Sequence, residues 1–162
     1  MKTVKGKQIR PSWEEMGMEM AELMAKRSVC LHYQVGASFW RGNKPLVSGY
    51  NGPPRRIVHC SEVGCAKETG DNGGKCRGAH AEMNAIVNAA LHGISIGGAT
   101  VYCSYRPCLE CSKHLINAEV VRFVYKYDYD KELEATEMLK AAGIELLKYS
   151  DFLKALGKGV IK

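Results

Sequence analysis

Apolar residues recur at helical spacing early in the chain, directly after a signal for the start of a helix. Ser12 followed by Glu15 has the pattern of a capping box, which predicts that a helix begins here. The apolar side chains after it fall on one helical face, and we expect that face to pack on the core. These side chains are Trp13, Met16, Met20, Leu23 and Met24.

Short apolar runs and helical patterns then alternate along the rest of the chain. Strands are predicted at 34–40 and 45–50 around a turn, and again at 100–104, 120–125 and 145–149. Helices are predicted at 80–91, 108–117 and 131–142, the last with a Schellman end at Gly143 and Ile144. Ser150 is expected to cap a short final helix. This alternation in the second half predicts an α/β layered domain with a largely parallel segment.

The helix at 80–91 and the stretch before it differ sharply in pattern. The helix has apolar residues that we expect to face the core, namely Met83, Ile86, Val87, Ala90 and Leu91. The stretch at 51–78 has no regular pattern and is long for a structureless loop, so we expect something to hold it together.

Composition and charge narrow the class of protein. With 162 residues, 46% apolar and 25% charged, residues 1–162 have the size and composition of one globular domain. No apolar run approaches the length of a membrane span. The net charge of +6 invites a nucleic-acid interpretation, but it arises from basic tails at 1–10 and 154–162. Because the body between the tails has a net charge of −1, a small-molecule partner is favoured over a nucleic acid or a membrane.

The strongest chemical pattern combines His80-Ala81-Glu82 with Pro107-Cys108-Leu109-Glu110-Cys111. One His and two Cys are three zinc ligands, and a catalytic zinc keeps its fourth position open for water. Each half opens a predicted helix, whose N-terminus stabilises thiolates. Glu82 is not needed as a metal ligand. It lies two residues from His80, from where it can exchange protons with the metal-bound water. Each half alone is a weak signal. A structural zinc clip, a redox pair or buried thiols are the alternatives, but the ordered combination favours a catalytic zinc.

This ordered pair is the signature of the zinc nucleobase deaminases, and the chain resembles the deoxycytidylate (dCMP) deaminase family within the cytidine deaminase superfamily. The resemblance covers most of the chain. It extends over Arg10-Pro11-Ser12-Trp13, Cys30, Gln34-Val35-Gly36-Ala37, Ser48-Gly49-Tyr50-Asn51-Gly52-Pro53-Pro54, His59-Cys60, His80-Ala81-Glu82-Met83-Asn84-Ala85-Ile86 and Gly98-Ala99-Thr100-Val101-Tyr102.

The resemblance implies a three-layer α/β/α cytidine-deaminase-like fold with a mixed five-stranded sheet. It implies hydrolysis of dCMP to dUMP and ammonia, with Glu82 as the proton shuttle for a zinc-bound water. It further implies that Asn51 contacts the nucleotide, and that Ala81 and the turn from Ser104 to Pro107 line the base pocket. Tyr105 in that turn either packs on the pyrimidine or belongs to the wall or the core.

A nucleotide substrate needs a phosphate site, and two pairs of cations are candidates. Arginine pairs suit phosphate through bidentate hydrogen bonds. The pairs are Arg55 with Arg56, and Lys26 with Arg27. Arg55 and Arg56 fit a solvated loop equally well. Lys26 and Arg27 also fit the basic end of the first helix, where cations are favoured.

The remaining cysteines suggest a second metal. The count of seven is high, and the N-terminus lacks the apolar segment of a signal peptide, so we expect a cytoplasmic protein with metal sites rather than disulfides. Cys60, Cys65 and Cys76 supply three soft ligands within 51–78, with Cys30 preferred to His59 as the fourth. The resemblance supports such a structural zinc. Reduced thiols packed as small apolar groups are the alternative, and Cys103 is expected to be a plain core thiol.

The resemblance also implies regulation and assembly. Members of the family respond to dCTP and dTTP through the segment Gly49, Tyr50, Asn51 and Gly52, and form homo-oligomers, often hexamers. The family commonly has a basic residue where this chain has Leu91, which leaves the effector response open. Deamination of dCTP or of a base in RNA is an alternative activity. A non-catalytic zinc-binding module is a third reading, and Glu82 argues against it.

Overall fold

A mixed five-stranded sheet organises the chain. The computed structural model describes residues 3–4, 7–8, 10–129 and 133–155, so most of the two basic tails and the start of the helix predicted from 131 lie outside the described residues. The sheet strands are β3 (Gly36–Arg41), β4 (Lys44–Tyr50), β5 (Thr100–Tyr105), β6 (Arg122–Tyr127) and β7 (Glu145–Lys148). Ahead of them, β1 (Thr3–Val4) and β2 (Lys7–Gln8) form a separate antiparallel pair.

The strand order is β4-β3-β5-β6-β7. β3 pairs antiparallel with β4 and β5, while β5, β6 and β7 run parallel to one another. The predicted parallel segment in the second half of the chain is therefore confirmed.

Helices cover both faces of this sheet. They are α1 (Trp13–Ala25), α2 (Cys60–Val63), α3 (Ala66–Thr69), α4 (Ala81–Leu91), α5 (Leu109–Asn117), α6 (Leu133–Ala141) and α7 (Tyr149–Ala155). α1 and α7 lie on one face, with Met18 and Tyr102 in the core between; α4, α5 and α6 lie on the other, over Phe39 and Phe123. The predicted three-layer α/β/α architecture with a mixed five-stranded sheet is confirmed. Among the described helices, none is long and apolar enough to cross a membrane.

Of the three helix-end signals predicted from the sequence, two are confirmed. The Ser12 hydroxyl accepts from the Glu15 N–H at 3.3 Å, and the Glu15 carboxylate accepts from the Ser12 N–H at 2.7 Å, which completes the capping box. At the end of α6, the Ile144 N–H donates to the Leu139 carbonyl at 2.9 Å, as a Schellman motif requires. Ser150 does not cap the last helix, because α7 begins at Tyr149, directly after β7.

The apolar faces predicted for α1 and α4 are only partly correct. Met16 and Met20 of α1 and Ile86 of α4 are partly buried against the core, as predicted. On α1 the buried residues are Gly17, Met18, Ala21 and Ala25, while Trp13 and Leu23 are 44% and 61% exposed. On α4 the buried residues are Ala81, Glu82, Ala85 and Ala89, while Val87 and Leu91 are 57% and 61% exposed.

Close approach of helix and sheet backbones explains both corrections. A Cβ on Gly36 of β3 would lie 2.0 Å from the carbonyl oxygen of Ala21 on α1. At this point of contact only small side chains such as those of Ala21 and Ala25 fit, so part of each predicted apolar face turns outward.

The stretch at 51–78 is not structureless. It contains α2, α3 and a 3-10 helix at Asp71–Gly74. Arg77 helps hold it, since its guanidinium donates to the Gly64 carbonyl and to the Asp71 carboxylate, both at 2.9 Å. A bridge between Gly52 and Ala79 closes the stretch at its ends.

Candidate active site

The N-termini of α4 and α5 lie close together and bring the predicted metal ligands to one place. His80 is the N-cap of α4 and Cys108 the N-cap of α5, both with extended backbone. The His80 Nδ1 lies 3.2 Å from the Cys108 Sγ and 3.3 Å from the Cys111 Sγ. The three ligand atoms lie within 4.8 Å of one another. The sequence-predicted triad is thus assembled.

A hydrogen bond joins the two thiols and shifts their pKa values in opposite directions. A hydrogen bond with Cys111 lowers the pKa of the Cys108 thiol to about 4, and His80 lowers it further in the same sense against the effect of burial. The same hydrogen bond and burial raise the pKa of the Cys111 thiol. Cys108 also accepts from the Cys111 backbone N–H at 3.4 Å, in the first turn of α5. The surroundings of Cys108 therefore favour its thiolate, which is the ligating form.

This donor set fits zinc. One imidazole nitrogen and two sulfurs are ligands that zinc prefers, and three protein ligands leave one position for water or substrate. The two thiols are buried, at 8% and 0% exposure, whereas His80 lies at the surface. The site is therefore open to solvent on the histidine side.

Glu82 lies in the first turn of α4 beside this triad and is only 4% exposed. Burial raises the pKa of its carboxyl from 4.5 to about 7, partly offset by a hydrogen bond from its own backbone N–H. Its carboxyl also hydrogen-bonds the Cys111 side chain. A buried carboxyl next to metal ligands is suited to move protons rather than to bind the metal.

Cys103 on β5 is the core thiol that the sequence predicted. It is fully buried in the cluster that includes Phe39 and Leu115. Burial raises the pKa of its thiol well above 9.0, and the neighbouring Glu82 acts in the same direction. It therefore stays protonated and apolar beside the active site.

Of the residues expected around the base, Ser104, Tyr105 and Pro107 lie at or just after the end of β5, and Ala81 is the first residue of α4. Ala81, Ser104 and Pro107 are buried, and Tyr105 is half-buried. The Ser104 hydroxyl accepts from the Gly36 N–H at 3.1 Å, which fixes the start of the turn to β3.

The segment at 49–52 has structural contacts throughout. Gly49 packs on α4, the Tyr50 carbonyl accepts from the Asn84 side chain at 2.8 Å, and Gly52 bridges to Ala79. The Asn51 carboxamide is bonded to the backbone of Tyr33 and Val35. Its expected contact with a nucleotide and the segment's expected effector role stay predictions.

Of the phosphate candidates, one lies near the base-pocket residues. Lys26 lines a cavity of about 390 Å³ together with Ser104 and Tyr105. Arg27, Arg55 and Arg56 are exposed and do not line that cavity.

The predicted ligands of a second zinc are not assembled. Cys60 and Cys65 are buried, Cys30 is half-buried and Cys76 is exposed, and all seven cysteines are free. Within the described part of the chain, no three of Cys30, His59, Cys60, Cys65 and Cys76 have ligand atoms within 4.8 Å of one another. Cys65 instead lies near His32 and Glu68, whose Nε2 and Oε1 atoms are 3.0 Å apart.

An aromatic cluster that was not predicted from the sequence lies beside the active-site turn. Tyr105 contacts Tyr33 and Tyr127, at centroid distances of 5.6 Å and 5.4 Å, and Tyr33 also contacts Tyr129 at 5.7 Å. These tyrosines come from three separate segments, so no local pattern could reveal their meeting.

Comparison with known proteins identifies a zinc-binding family, which agrees with the His-Cys-Cys donor set. The family model described as "Cytidine and deoxycytidylate deaminase zinc-binding region" matches residues 11–127. The deoxycytidylate deaminase of Schizosaccharomyces pombe is 38% identical over 145 residues, covering 86% of this chain and 45% of that protein. ComE operon protein 2 of Bacillus subtilis is 35% identical over 135 residues, covering 83% of this chain and 70% of that protein. The chain spans about half the length of its two yeast relatives.

Solved structures lead to the same family. The dCMP deaminase from the cyanophage S-TIM5, in complex with dCMP and dUMP, superposes with a TM-score of 0.73 at 29% identity. The match covers 87% of this chain and 99% of the phage chain. With the family model matching most of the chain and the His-Cys-Cys triad assembled, the chain belongs to the cytidine and deoxycytidylate deaminase family, defined by its zinc-binding region.

Proposed function

We propose that this protein is a zinc-dependent hydrolase that deaminates dCMP to dUMP and ammonia. The observation that carries the proposal is the buried Glu82 carboxyl beside a His-Cys-Cys donor set. A structural zinc does not need such a carboxyl, whereas hydrolytic deamination needs a group that moves protons. The phage relative crystallised with dCMP and dUMP supports the same substrate.

The donor set and Glu82 have separate tasks in this proposal. His80, Cys108 and Cys111 would hold zinc, which when bound acts as a Lewis acid that activates water for attack at C4 of cytosine. Glu82 accepts a proton from the attacking water and delivers protons to ring N3 and to the amino group. A C4–O bond forms, the C4–N bond breaks, and ammonia leaves.

The proposed substrate contacts follow from the family resemblance and from where these residues lie in the fold. Ala81 and the turn from Ser104 to Pro107 would line the base pocket, and Asn51 would lie beside the nucleotide. Lys26 is the phosphate candidate that shares a cavity with Ser104.

A panel of substrates tests this function. Ammonia release is measured from dCMP, CMP, dCTP, cytidine and a tRNA, for wild type, Glu82→Ala and the control Glu137→Ala on the exposed face of α6. We expect dCMP to be the preferred substrate, and Glu82→Ala to keep zinc but lose at least about a hundredfold in turnover. Preference for dCTP or tRNA would support the alternative activities. Zinc without any turnover would support a binding module.

We also propose a second, structural zinc held by Cys60, Cys65, Cys76 and either Cys30 or His59. The supporting observation is the number of free thiols in one stretch closed at its ends by the Gly52–Ala79 bridge. Binding would require this stretch to draw its thiols together. Metal analysis of the purified protein should return two zinc ions per chain, and a value of one would contradict the proposal.

A homo-oligomer is proposed from the outer face of α4. Val87 and Leu91 there are 57% and 61% exposed, and the sequence from Met83 to Tyr105 has no Asp, Glu, Lys or Arg. An uncharged apolar face can meet its own copy across a twofold axis without like-charge repulsion. Leu91→Glu should lower the mass measured by light scattering, and Leu23→Glu on α1, also 61% exposed, should not. An unchanged mass for Leu91→Glu would exclude this face, and hexamer formation stays a prediction.

Regulation by dCTP and dTTP is proposed from the resemblance of the segment Gly49, Tyr50, Asn51 and Gly52. This segment contacts α4 through Gly49 and through the Tyr50–Asn84 hydrogen bond, so a ligand there would act on the helix that presents Glu82. The rate of dCMP turnover is measured with and without each effector. A hyperbolic curve that neither nucleotide changes would show that the switch is absent.

A further inference from the structure

The sequence contains the dipeptide Asn-Gly twice, at Asn51-Gly52 and at Asn72-Gly73. Asparagine is a chemically labile residue, and a following glycine makes it more so, because the glycine nitrogen can approach the asparagine side chain without hindrance from a Cβ. The two copies have the same covalent chemistry. Any difference in their reactivity in the folded protein therefore comes from their surroundings.

Asn51-Gly52 is held at each group that the reaction would have to move. The Asn51 carboxamide accepts from the Val35 N–H at 2.8 Å and donates to the Tyr33 carbonyl at 2.7 Å. The Gly52 N–H, which belongs to the nitrogen that would attack, donates to the Ala79 carbonyl at 3.1 Å. Gly52 is also buried. Attack of this nitrogen on the side chain would break these hydrogen bonds, so it requires a costly local opening of the fold.

Asn72-Gly73 lies on an exposed turn instead. Every residue from 67 to 76 is exposed, and the 3-10 helix at Asp71–Gly74 has no buried residue. Its backbone is left-handed at Asn72 and Gly73, with φ at 52° and 63°. The Asn72 carboxamide donates to the Lys75 carbonyl at 3.1 Å, a bond at the surface. A turn without buried side chains has little packing to hold it, so it opens at a low free energy.

We propose that Asn72 is a site of spontaneous modification in the folded protein, whereas Asn51 is protected. The Gly73 nitrogen attacks the Asn72 Cγ, a bond between these atoms forms, the Cγ–Nδ2 bond breaks, and ammonia leaves with the proton of the Gly73 N–H. Water then opens the cyclic imide at either carbonyl, which gives aspartate or isoaspartate at position 72. The reaction needs only solvent water, so it is independent of the proposed deamination of dCMP.

The product changes the turn in charge and in hydrogen bonding. One added carboxylate lowers the net charge of +6 to +5, and it lies beside Asp71, whose carboxylate accepts from Arg77. A carboxylate cannot donate, so the hydrogen bond from Asn72 to the Lys75 carbonyl is lost. Isoaspartate also adds a carbon atom to the backbone. The modification therefore weakens the turn that precedes Cys76.

Peptide mapping compares the two dipeptides in one sample. Folded protein and protein unfolded in guanidinium chloride are kept in the same mildly alkaline buffer and digested with trypsin. Tandem mass spectrometry then locates the altered residue in the peptides 68–75 and 42–55. In the folded protein we expect Asn72 to react at least about tenfold faster than Asn51, a ratio that corresponds to about 1.4 kcal/mol. In the unfolded chain the two rates should agree within about twofold, because neither dipeptide keeps its surroundings.

Two variants identify the source of the change. Asn72→Gln should lose the conversion at this position, because the longer side chain would have to close a larger ring. Glu82→Ala should convert Asn72 as fast as the wild type does, because the active site takes no part. Equal rates at Asn72 and Asn51 in the folded protein would overturn the proposal, as would conversion of Asn72 in the unfolded chain alone. Absence of dCMP turnover in the wild type would overturn the proposed function alone.

Discussion

Gly49 of β4 lies against the first turn of α4, where its missing side chain lets the carbonyl oxygen of Ala81 approach. A Cβ at Gly49 would lie 2.3 Å from that oxygen and 2.6 Å from the Ala85 nitrogen. Because α4 begins at the metal ligand His80 and carries Glu82 in its first turn, this contact sets the position of both residues relative to the sheet.

Replacing Gly49 tests how far the active site depends on this contact. Gly49→Ala should lower the free energy of unfolding by about 2 kcal/mol, because backbone on both sides of the added methyl group must shift. It should also weaken zinc binding. Urea unfolding and zinc competition with a chelator measure the two effects. Gly52→Ala is the control, since a Cβ there meets nothing within 4 Å; equal losses in both variants would contradict the explanation.

Cys111 and Cys103 are both fully buried, so their variants compare the loss of a metal ligand with the loss of a packed core thiol. Cys111→Ser should remove one zinc per chain, because a serine hydroxyl does not replace a thiolate ligand at neutral pH. Cys103→Ser at equal burial should keep the full zinc content while losing some stability. Elemental analysis of the purified variants makes the comparison, and full zinc occupancy in Cys111→Ser would exclude it as a ligand.

Tyr102 should make the fold sensitive to alkaline pH. Burial raises the pKa of its phenol from 10.0 to about 12. Between these values the unfolded chain has released a proton that the folded chain still holds, so stability falls as pH rises through this window. Tyr102→Phe keeps the ring that packs against Gly17 and removes the titrating hydroxyl.

Urea unfolding across that pH window compares the two proteins. The loss of stability should be less steep for Tyr102→Phe than for the wild type. Some loss should remain in the variant, because burial also raises the pKa of Tyr149 to about 12. Identical pH profiles would show that the Tyr102 phenol is not responsible.

The end of α6 depends on the left-handed backbone of Gly143, with φ at +78°. Gly143→Ala should destabilise the protein by about 1 kcal/mol, since a Cβ disfavours this conformation. Gly143→Asn should cost less, because asparagine tolerates left-handed backbone better than other residues with side chains. Thermal unfolding ranks the variants, and a more stable alanine variant would contradict the Schellman assignment.

The sequence alone determined the candidate metal-site residues and many of the boundaries of the helices and strands. His80, Glu82, Cys108 and Cys111 could be predicted because each pair lies within three residues at a helix start, where local geometry fixes which way the side chains point. The capping box at Ser12 and the Schellman end at Gly143 are equally local. So was the alternation of strands and helices that indicated the layered fold.

Only the tertiary structure decided which helix faces are buried and which side chains meet across the chain. Part of the apolar face predicted for each of α1 and α4 is exposed, because backbone contact at Gly36 and Gly49 leaves room only for small side chains where helix and sheet meet. The hydrogen bonds of the Asn51 carboxamide to the backbone of Tyr33 and Val35 likewise join residues far apart in sequence. Hydropathy reports how favourable burial is for a residue, whereas the distance between two backbones, set by residues far apart in sequence, decides what fits between them.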